Sequence, residues 1–461
     1  MTSPTGYRHI LRSGARWISP RRWVQRLLFW GGAIGVGAVA VLFAAASEQA
    51  HDGFEALLER AWWLPLLLMP AGIALIAFVS RKIFPGTQGS GIPQTIAALN
   101  LDDQHERDKL LSLRIATGKI ALTVCGLLCG ASVGREGPTV QVGAAIMHTL
   151  GKLGRFPRME MDRALILAGG AAGVAAAFNT PLAGIVFAIE ELSRSYEQRT
   201  NGTILAAVIF AGLTSLALLG NYTYFGTSAV TLGLDLHTWL AIGVIGLTGG
   251  LAGGLFSRML IFASRGLPGW LGRVANQRPI VFAAGCGLVL AVIGLVSGGT
   301  TYGTGYAETR GILQGTGEIP ASFGLLKLLA TLVSYLSGIP GGIFAPSLAV
   351  GAGIGANLTE VFSFVPAGAV VILAMAAYFS GVVQAPLTAF VILIEMTDKH
   401  DIVLPLMAVA LVANGASRLV CREPLYKALA QRFVKTATAS DPGASLPAAP
   451  TAGGGRPDRP D

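Results

Sequence analysis

Charge is what this 461-residue chain has least of: Asp, Glu, Lys and Arg make up 13 % of it, while hydrophobic residues make up 52 %. Soluble proteins carry about 25 % charged residues. A chain long enough for roughly three soluble domains cannot build their charged shells from so few. Disorder of the bulk is excluded too, because so much apolar sequence does not stay solvated. Cysteine is scarce as well. Cys125, Cys129, Cys286 and Cys421 form no C-x-x-C pair, and the first three sit in apolar runs, where small helix-packing residues are the expectation. The six histidines, His9, His51, His105, His148, His237 and His400, include no H-E-x-x-H and no close pair, so neither a metal site nor a cofactor is expected.

Acid is missing from the first 47 residues, whereas Arg8, Arg12, Arg16, Arg21, Arg22 and Arg26 precede an apolar run at about 27–46. A segment containing Glu48, Asp52, Glu55 and Glu59 follows and reads as an acidic turn. A second run at about 61–80 then ends in Arg81 and Lys82. The positive-inside rule makes this a hairpin with its N-terminus in the cytoplasm. Nucleic-acid binding, the other use of a net charge of +9, has no aromatic platform or recognition module here. The first run also resembles a signal peptide, with Ala44-Ala45-Ala46 at its end. It is longer than the usual apolar core of 7–15 residues, and a second span follows at once, so it reads as a retained helix.

Apolar stretches recur to about residue 420, which makes the chain a polytopic, all-α membrane protein. Interruptions around Gly169, Pro181, Gly338 and Pro386 point to broken helices, tolerated at membrane depth only where freed backbone groups face protein or water. The chain divides into a basic N-terminus (1–26), two membrane halves (27–218 and 219–435) and a Pro/Gly/Ala-rich tail (436–461) expected to be disordered and cytoplasmic.

The halves repeat. At an offset of 208, Lys119 meets Lys327, Thr123 meets Thr331, Gly134 meets Gly342, Pro138 meets Pro346 and Gly143 meets Gly351. At 205, Pro181-Leu182 meets Pro386-Leu387 and Glu190 meets Glu395; upstream, at 214, Gly89-Ser90-Gly91 pairs with Gly303-Thr304-Gly305. Duplicated halves with interrupted helices are a transporter signature, with the binding site between the halves. The differences are equally informative: Glu136 is matched by Phe344 and Glu191 by Met396. An ionisable group in apolar surroundings is costly and marks function, and one kept in a single copy is less suited to a shared scaffold. Glu190, kept in both, reads as structural. Lys119 and Lys327, also kept in both, read as snorkelling or ion-paired.

Three segments share one design: Gly89-Ser90-Gly91-Ile92-Pro93, Gly134-Arg135-Glu136-Gly137-Pro138 and Gly342-Ile343-Phe344-Ala345-Pro346. Proline suits a first helical turn, glycine admits close approach, and a helix N-terminus offers free N–H groups to an anion. Ser90 can add a hydroxyl donor. Glu136 can occupy such a site itself when ionised and leave it when protonated; otherwise it pairs with Arg135. Gly130-Ala131-Ser132-Val133-Gly134 matches the G-x-S-x-G nucleophile elbow, but follows an apolar helix and lacks a histidine partner, which leaves an intramembrane hydrolase as the competing class.

These motifs, with Pro424-Leu425-Tyr426 near the C-terminus, resemble the CLC family of chloride channels and proton/chloride exchangers over about residues 26–432. The resemblance implies a homodimer in the cell (inner) membrane, with both termini cytoplasmic and one anion path per subunit, built from inverted repeats of tilted, broken helices. It implies a transporter and not an enzyme. Chloride would be held by the hydroxyls of Ser90 and Tyr426 and the backbone N–H groups of Ile343 and Phe344. Glu136 would be the gate and Glu191 the inner proton acceptor. Channel members usually lack that inner acid, so Glu191 favours proton-coupled exchange over a chloride channel, and Ser90 favours chloride over nitrate. The regulatory nucleotide-binding pair of eukaryotic members is not expected after Tyr426. Some relatives carry acids after the first motif; here Gln94, Thr95 and Ile96 stand there, which leaves the partner of Lys119 open.

Overall fold

A computed structural model describes residues 20–154, 159–193, 201–220, 224–225, 232–233, 235–316, 319–398 and 401–439. Arg8, Arg12, Arg16, His9, His400 and all of the tail beyond Ala439 lie outside them. Among the described residues the chain is helical, with two isolated backbone bridges in place of strands, and eight helices are long and apolar enough to cross a membrane.

The first half runs α1 (Pro20–Arg60), α2 (Pro65–Lys82), α3 (Ile92–Asn100), α4 (Gln104–Leu110), α5 (Leu113–Leu128), α6 (Glu136–Leu153), α7 (Met159–Phe178), α8 (Pro181–Phe187) with a π-helical turn at Ala188–Ser193, and α9 (Asn201–Leu219). The second runs α10 (Leu236–Arg265), α11 (Gly269–Gln277), α12 (Pro279–Val296), α13 (Tyr306–Gln314), α14 (Phe323–Leu336), α15 (Phe344–Val361), α16 (Ala367–Val383), α17 (Pro386–Thr397), α18 (Val403–Val420) and α19 (Leu425–Ala439). Hence α3, α5, α6, α7, α8 and α9 have counterparts in α13, α14, α15, α16, α17 and α18.

Two expectations about helix breaks are corrected. The acidic segment from Glu48 to Glu59 is not a turn but the end of the 41-residue α1. Its Ala, Glu, Gln and Leu residues are strong helix formers, and the reversal waits for Ala61–Leu64, just before Pro65. Gly169 does not break α7. It lies mid-helix against Gly143 of α6, whose carbonyl would stand 2.3 Å from any added Cβ. The other interruptions are real: Gly338 follows α14 with φ 77°, and Pro181 and Pro386 each open a new helix. Before those prolines, Asn179 and Gln384 are held at φ 57° and 54°, in the left-handed region disfavoured for side-chain-bearing residues. They occupy equivalent positions of the repeat.

The halves are related by a two-fold axis, legible in hydrogen bonds. Gly134 and its counterpart Gly342 bond to each other both ways, N–H to carbonyl at 2.7 and 2.6 Å, in an antiparallel bridge. Glu190 accepts the N–H groups of Leu387 and Thr388 at 3.1 and 2.7 Å, and Glu395 accepts those of Leu182 and Ala183 at 3.0 and 2.7 Å. Each carboxylate thus caps the first turn of the other half's helix. Such reciprocity marks a self-complementary interface, and antiparallel equivalents make the repeats inverted.

Each half packs around one long helix: α1 contacts α7 and α9 as α10 contacts α16 and α18. In α10 the glycine pairs 249–250 and 253–254 split the work. Gly249 and Gly253 meet Tyr378 and Gly381 of α16, while Gly250 and Gly254 meet Ala413 and Ser417 of α18. Small residues let backbones approach this closely. The cysteines are free thiols, and the sulfur of Cys129 fills the space over Gly72.

Candidate functional site

The three Gly/Pro segments converge. Gly89 donates to the carbonyl of Ile339 and accepts from Gly341, both at 3.1 Å, and the Gly134–Gly342 bridge ties in the third segment. α3, α6 and α15 therefore begin around one buried point. Pro93, Pro138 and Pro346 lie in their first turns, where a missing N–H breaks no helical bond. Gly137 has no room for a side chain: an added Cβ would stand 2.4 Å from the hydroxyl of Ser90 and 3.4 Å from Cα of Gly342.

Into this point project Ser90, Glu136 and Tyr426, with Glu191 further off. Ser90, Glu136 and Tyr426 are fully buried, and Glu191 is 2 % exposed. The hydroxyls of Ser90 and Tyr426 are close neighbours, with Glu136 and Glu191 in electrostatic reach of Tyr426. Neither hydroxyl has a full hydrogen bond to another protein group, nor do the carboxylate oxygens of Glu136. Buried polar groups are almost always satisfied, so such a cluster calls for an occupant. The Glu136 carboxylate faces backbone N–H groups of Arg135, Glu136 and Ala345, at the starts of both α6 and α15. The pairing of Glu136 with Arg135 is not what forms: the Arg135 guanidinium donates to the carbonyl of Ala44 in α1 at 2.7 Å. Ile343 and Phe344 open α15, where N–H groups have no partner within the helix.

Sequence reasoning missed the aromatic wall. The ring of Phe344 packs on Phe178, Phe187, Phe379 and Tyr426 at centroid distances of 6.2, 5.9, 4.8 and 5.9 Å. Phe178 and Phe187 come from α7 and α8, Phe379 from α16 and Tyr426 from α19. Nothing in their local patterns distinguishes them from ordinary core residues. Also missed was the support beneath Ser90. Lys119, fully buried, donates at 2.7 Å to the carbonyls of both Thr87 and Gly89. Its counterpart Lys327 donates to Thr301, Tyr302 and Gly303 at 3.0, 3.2 and 2.9 Å. Snorkelling is thereby corrected for both. Each lysine points from its helix at the carbonyls of a neighbouring loop, of which only that of Gly89 has a backbone donor as well, and it fastens that loop. Gln94 accepts from Gly91 and donates to Gln88, and Gln141 donates to Gly86 and Leu110, which completes the frame.

Glu190 and Glu191 take different directions from the π-helical turn, a feature frequent at functional sites. Glu190 caps α17, and Glu191 turns inward. Ser132, the serine of the nucleophile-like motif, bonds through its hydroxyl to Thr331 and through its N–H to Ser334, both at 3.1 Å, and so stitches the two halves. Beside the loop leading to Ser90 lies a cavity of about 440 Å³, lined by Gly86, Gln88, Lys109, Arg114, Phe433 and Ala437 among others. Phe433 and Ala437 follow Tyr426 on one face of α19, two and three turns further along.

Solved structures share this architecture. A slow cyanobacterial Cl⁻/H⁺ antiporter is 25 % identical with a TM-score of 0.79, the match covering 91 % of this chain and 100 % of that one. A CLC-type fluoride/proton antiporter is 26 % identical with a TM-score of 0.75, covering 87 % and 97 %. A eukaryotic CLC transporter shares the fold at 22 % identity and a TM-score of 0.70, covering 88 % and 74 %. Residues 72–418, well over half of the chain, match the family described as voltage gated chloride channel. By that match, and by its inverted repeats around three converging helix starts, the chain belongs to the CLC family.

Proposed function

We propose that the protein exchanges chloride for protons across the cell membrane, using Glu136 as gate and Glu191 as inner proton acceptor. The observation that carries this is the position of Glu136: a buried carboxylate without a full hydrogen bond, lying over two helix starts that also suit a halide. One negative group occupies that place at a time. Ionised Glu136 fills it, and protonation from outside neutralises the side chain and yields the place to chloride. Ser90, Tyr426 and the N–H groups of Ile343 and Phe344 hold chloride further in. The proton continues towards Glu191 through water while chloride moves the other way. The burial of Glu191, within electrostatic reach of Tyr426, supports the second half of this path, and two structural neighbours are described as proton-coupled antiporters.

The cavity below Tyr426 suits the inner mouth, which puts the end of α19 on the cytoplasmic side. Leu182 and Leu387, exposed at the α8–α17 seam, suit burial by a second subunit in a homodimer.

The experiment is proton flux into liposomes holding the purified protein, driven by a chloride gradient with voltage clamped. Uphill proton movement is expected in the wild type. Glu136→Ala and Glu191→Gln should each keep chloride flux and lose proton coupling. Chloride flux without proton movement in the wild type makes the protein a channel. Uphill pumping by either variant overturns the assigned proton path.

A further inference from the structure

Between the spans α10 and α12 lies the nine-residue α11, in a stretch of the chain whose charged residues are all basic. No acid occurs between Asp235 and Glu308, a stretch holding Arg258, Arg265, Arg273 and Arg278. Arg265 is engaged with Glu423 at 2.6 Å. Arg273 and Arg278 are exposed and, among the described residues, have no carboxylate within ion-pair distance. α11 is also two-faced. Trp270, Leu271 and Val274 share one side, with Trp270 65 % and Leu271 40 % exposed, while Asn276 lies across the helix from them and Arg273 on the flank, one turn from Trp270. A short helix with an aromatic and aliphatic face, a basic flank and a span at either end is built to lie along the bilayer surface. Trp side chains settle at headgroup depth, which places the guanidinium of Arg273 among phosphates.

We propose that α11 and the arginines beside it form a binding surface for anionic phospholipid headgroups, in the leaflet at which α10 ends and α12 begins. The complementarity is one of charge: two cations without acid partners, next to rings and aliphatic chains that fit the first acyl carbons. Basic residues near an anionic bilayer surface each favour binding by about fivefold. A preference of roughly tenfold or more for an anionic over a zwitterionic lipid follows for the pair.

Trp270 makes this measurable. The purified full-length protein is reconstituted with phosphatidylglycerol or phosphatidylcholine carrying brominated acyl chains, and tryptophan quenching is recorded for the wild type and for Trp270→Phe. Their difference isolates lipid touching α11. Phosphatidylglycerol should be preferred about tenfold in that component. The preference should fall to near one in the double variant Arg273→Gln/Arg278→Gln and persist in Arg273→Lys/Arg278→Lys. Both positions are exposed, so these variants are expected to fold, which unchanged chloride flux would verify. Equal quenching by the two lipids in the wild type overturns the proposal. A full preference surviving in the glutamine variant overturns it as well, because the headgroup is then held by other groups.

Discussion

At the scale of single residues, the molecule separates polar groups that hold structure from buried ones left without a full hydrogen bond. Lys119 and Lys327 look like intramembrane charges with a task in transport, yet their ammonium groups are spent on loop carbonyls. Lys119→Met should therefore act as a structural lesion, leaving two buried carbonyls short of a donor at about 1–3 kcal/mol. A lowered thermal midpoint in detergent checks this. Ser90 and Tyr426 should behave in the opposite way. Ser90→Ala and Tyr426→Phe remove a hydroxyl while keeping the packing, so stability should hold and chloride affinity should fall about tenfold for each, the usual worth of a hydrogen bond to a charged group. Calorimetric titration with chloride measures it, and unchanged affinity in both would place the anion elsewhere. The structural role of Glu190 was legible in the sequence because that acid is kept in both halves. The partner of Lys119 was not legible, since a lysine bound to carbonyls 30 and 32 positions away leaves no local pattern.

At the scale of elements, helix starts were readable and helix continuity was not. Gly and Pro announce the beginnings of α3, α6, α8, α15 and α17, because each changes what the backbone can do. Gly169 gives the same local signal inside an unbroken helix, where its role is set by a neighbour 26 residues earlier. Likewise, the helix formers at the acidic end of α1 carry a signal that its charges mask, and the packing that holds it helical is long-range: Phe54 meets Tyr302 of the second half edge-on at 4.9 Å. The reciprocal caps yield a matched pair of predictions. Glu190→Gln and Glu395→Gln should each cost about 1 kcal/mol, as the loss of a helix cap does, with Glu190→Gln somewhat the costlier because Glu190 also accepts the Thr388 hydroxyl at 2.8 Å. Thermal unfolding compares them; strongly unequal losses would count against the two-fold reading. In α10, Gly250→Leu would drive a side chain into Ala413, whose carbonyl lies 2.3 Å from an added Cβ. Loss of monodisperse protein on size exclusion is the expected outcome.

At the scale of the whole molecule, scarce charge is unevenly placed. Around the cavity beside the loop to Ser90 sit Lys109 and Arg114 with Glu106 and Asp108. Lys109 is paired with Glu106, and Asp108 with Lys152 and His148, which leaves the Arg114 guanidinium, bonded to the carbonyl of Ile83, to attract anions. Charge-lined clefts raise the arrival rate of small ions and lose that effect in salt. Arg114→Glu should therefore slow chloride flux several-fold at low ionic strength, and much less at high ionic strength; an equal slowing at both would mean that the side chain acts on structure instead. The paired caps carry one more consequence, and it concerns time. The N–H groups that open α8 receive their acceptor from Glu395, 213 residues further along the chain. At synthesis rates of about 5–20 residues per second, the first half waits roughly 10–40 s in the bilayer with that helix end uncapped. For that interval the nascent protein depends on the translocation machinery, or on water drawn into the membrane, to shelter a surface that only its own unfinished half can close.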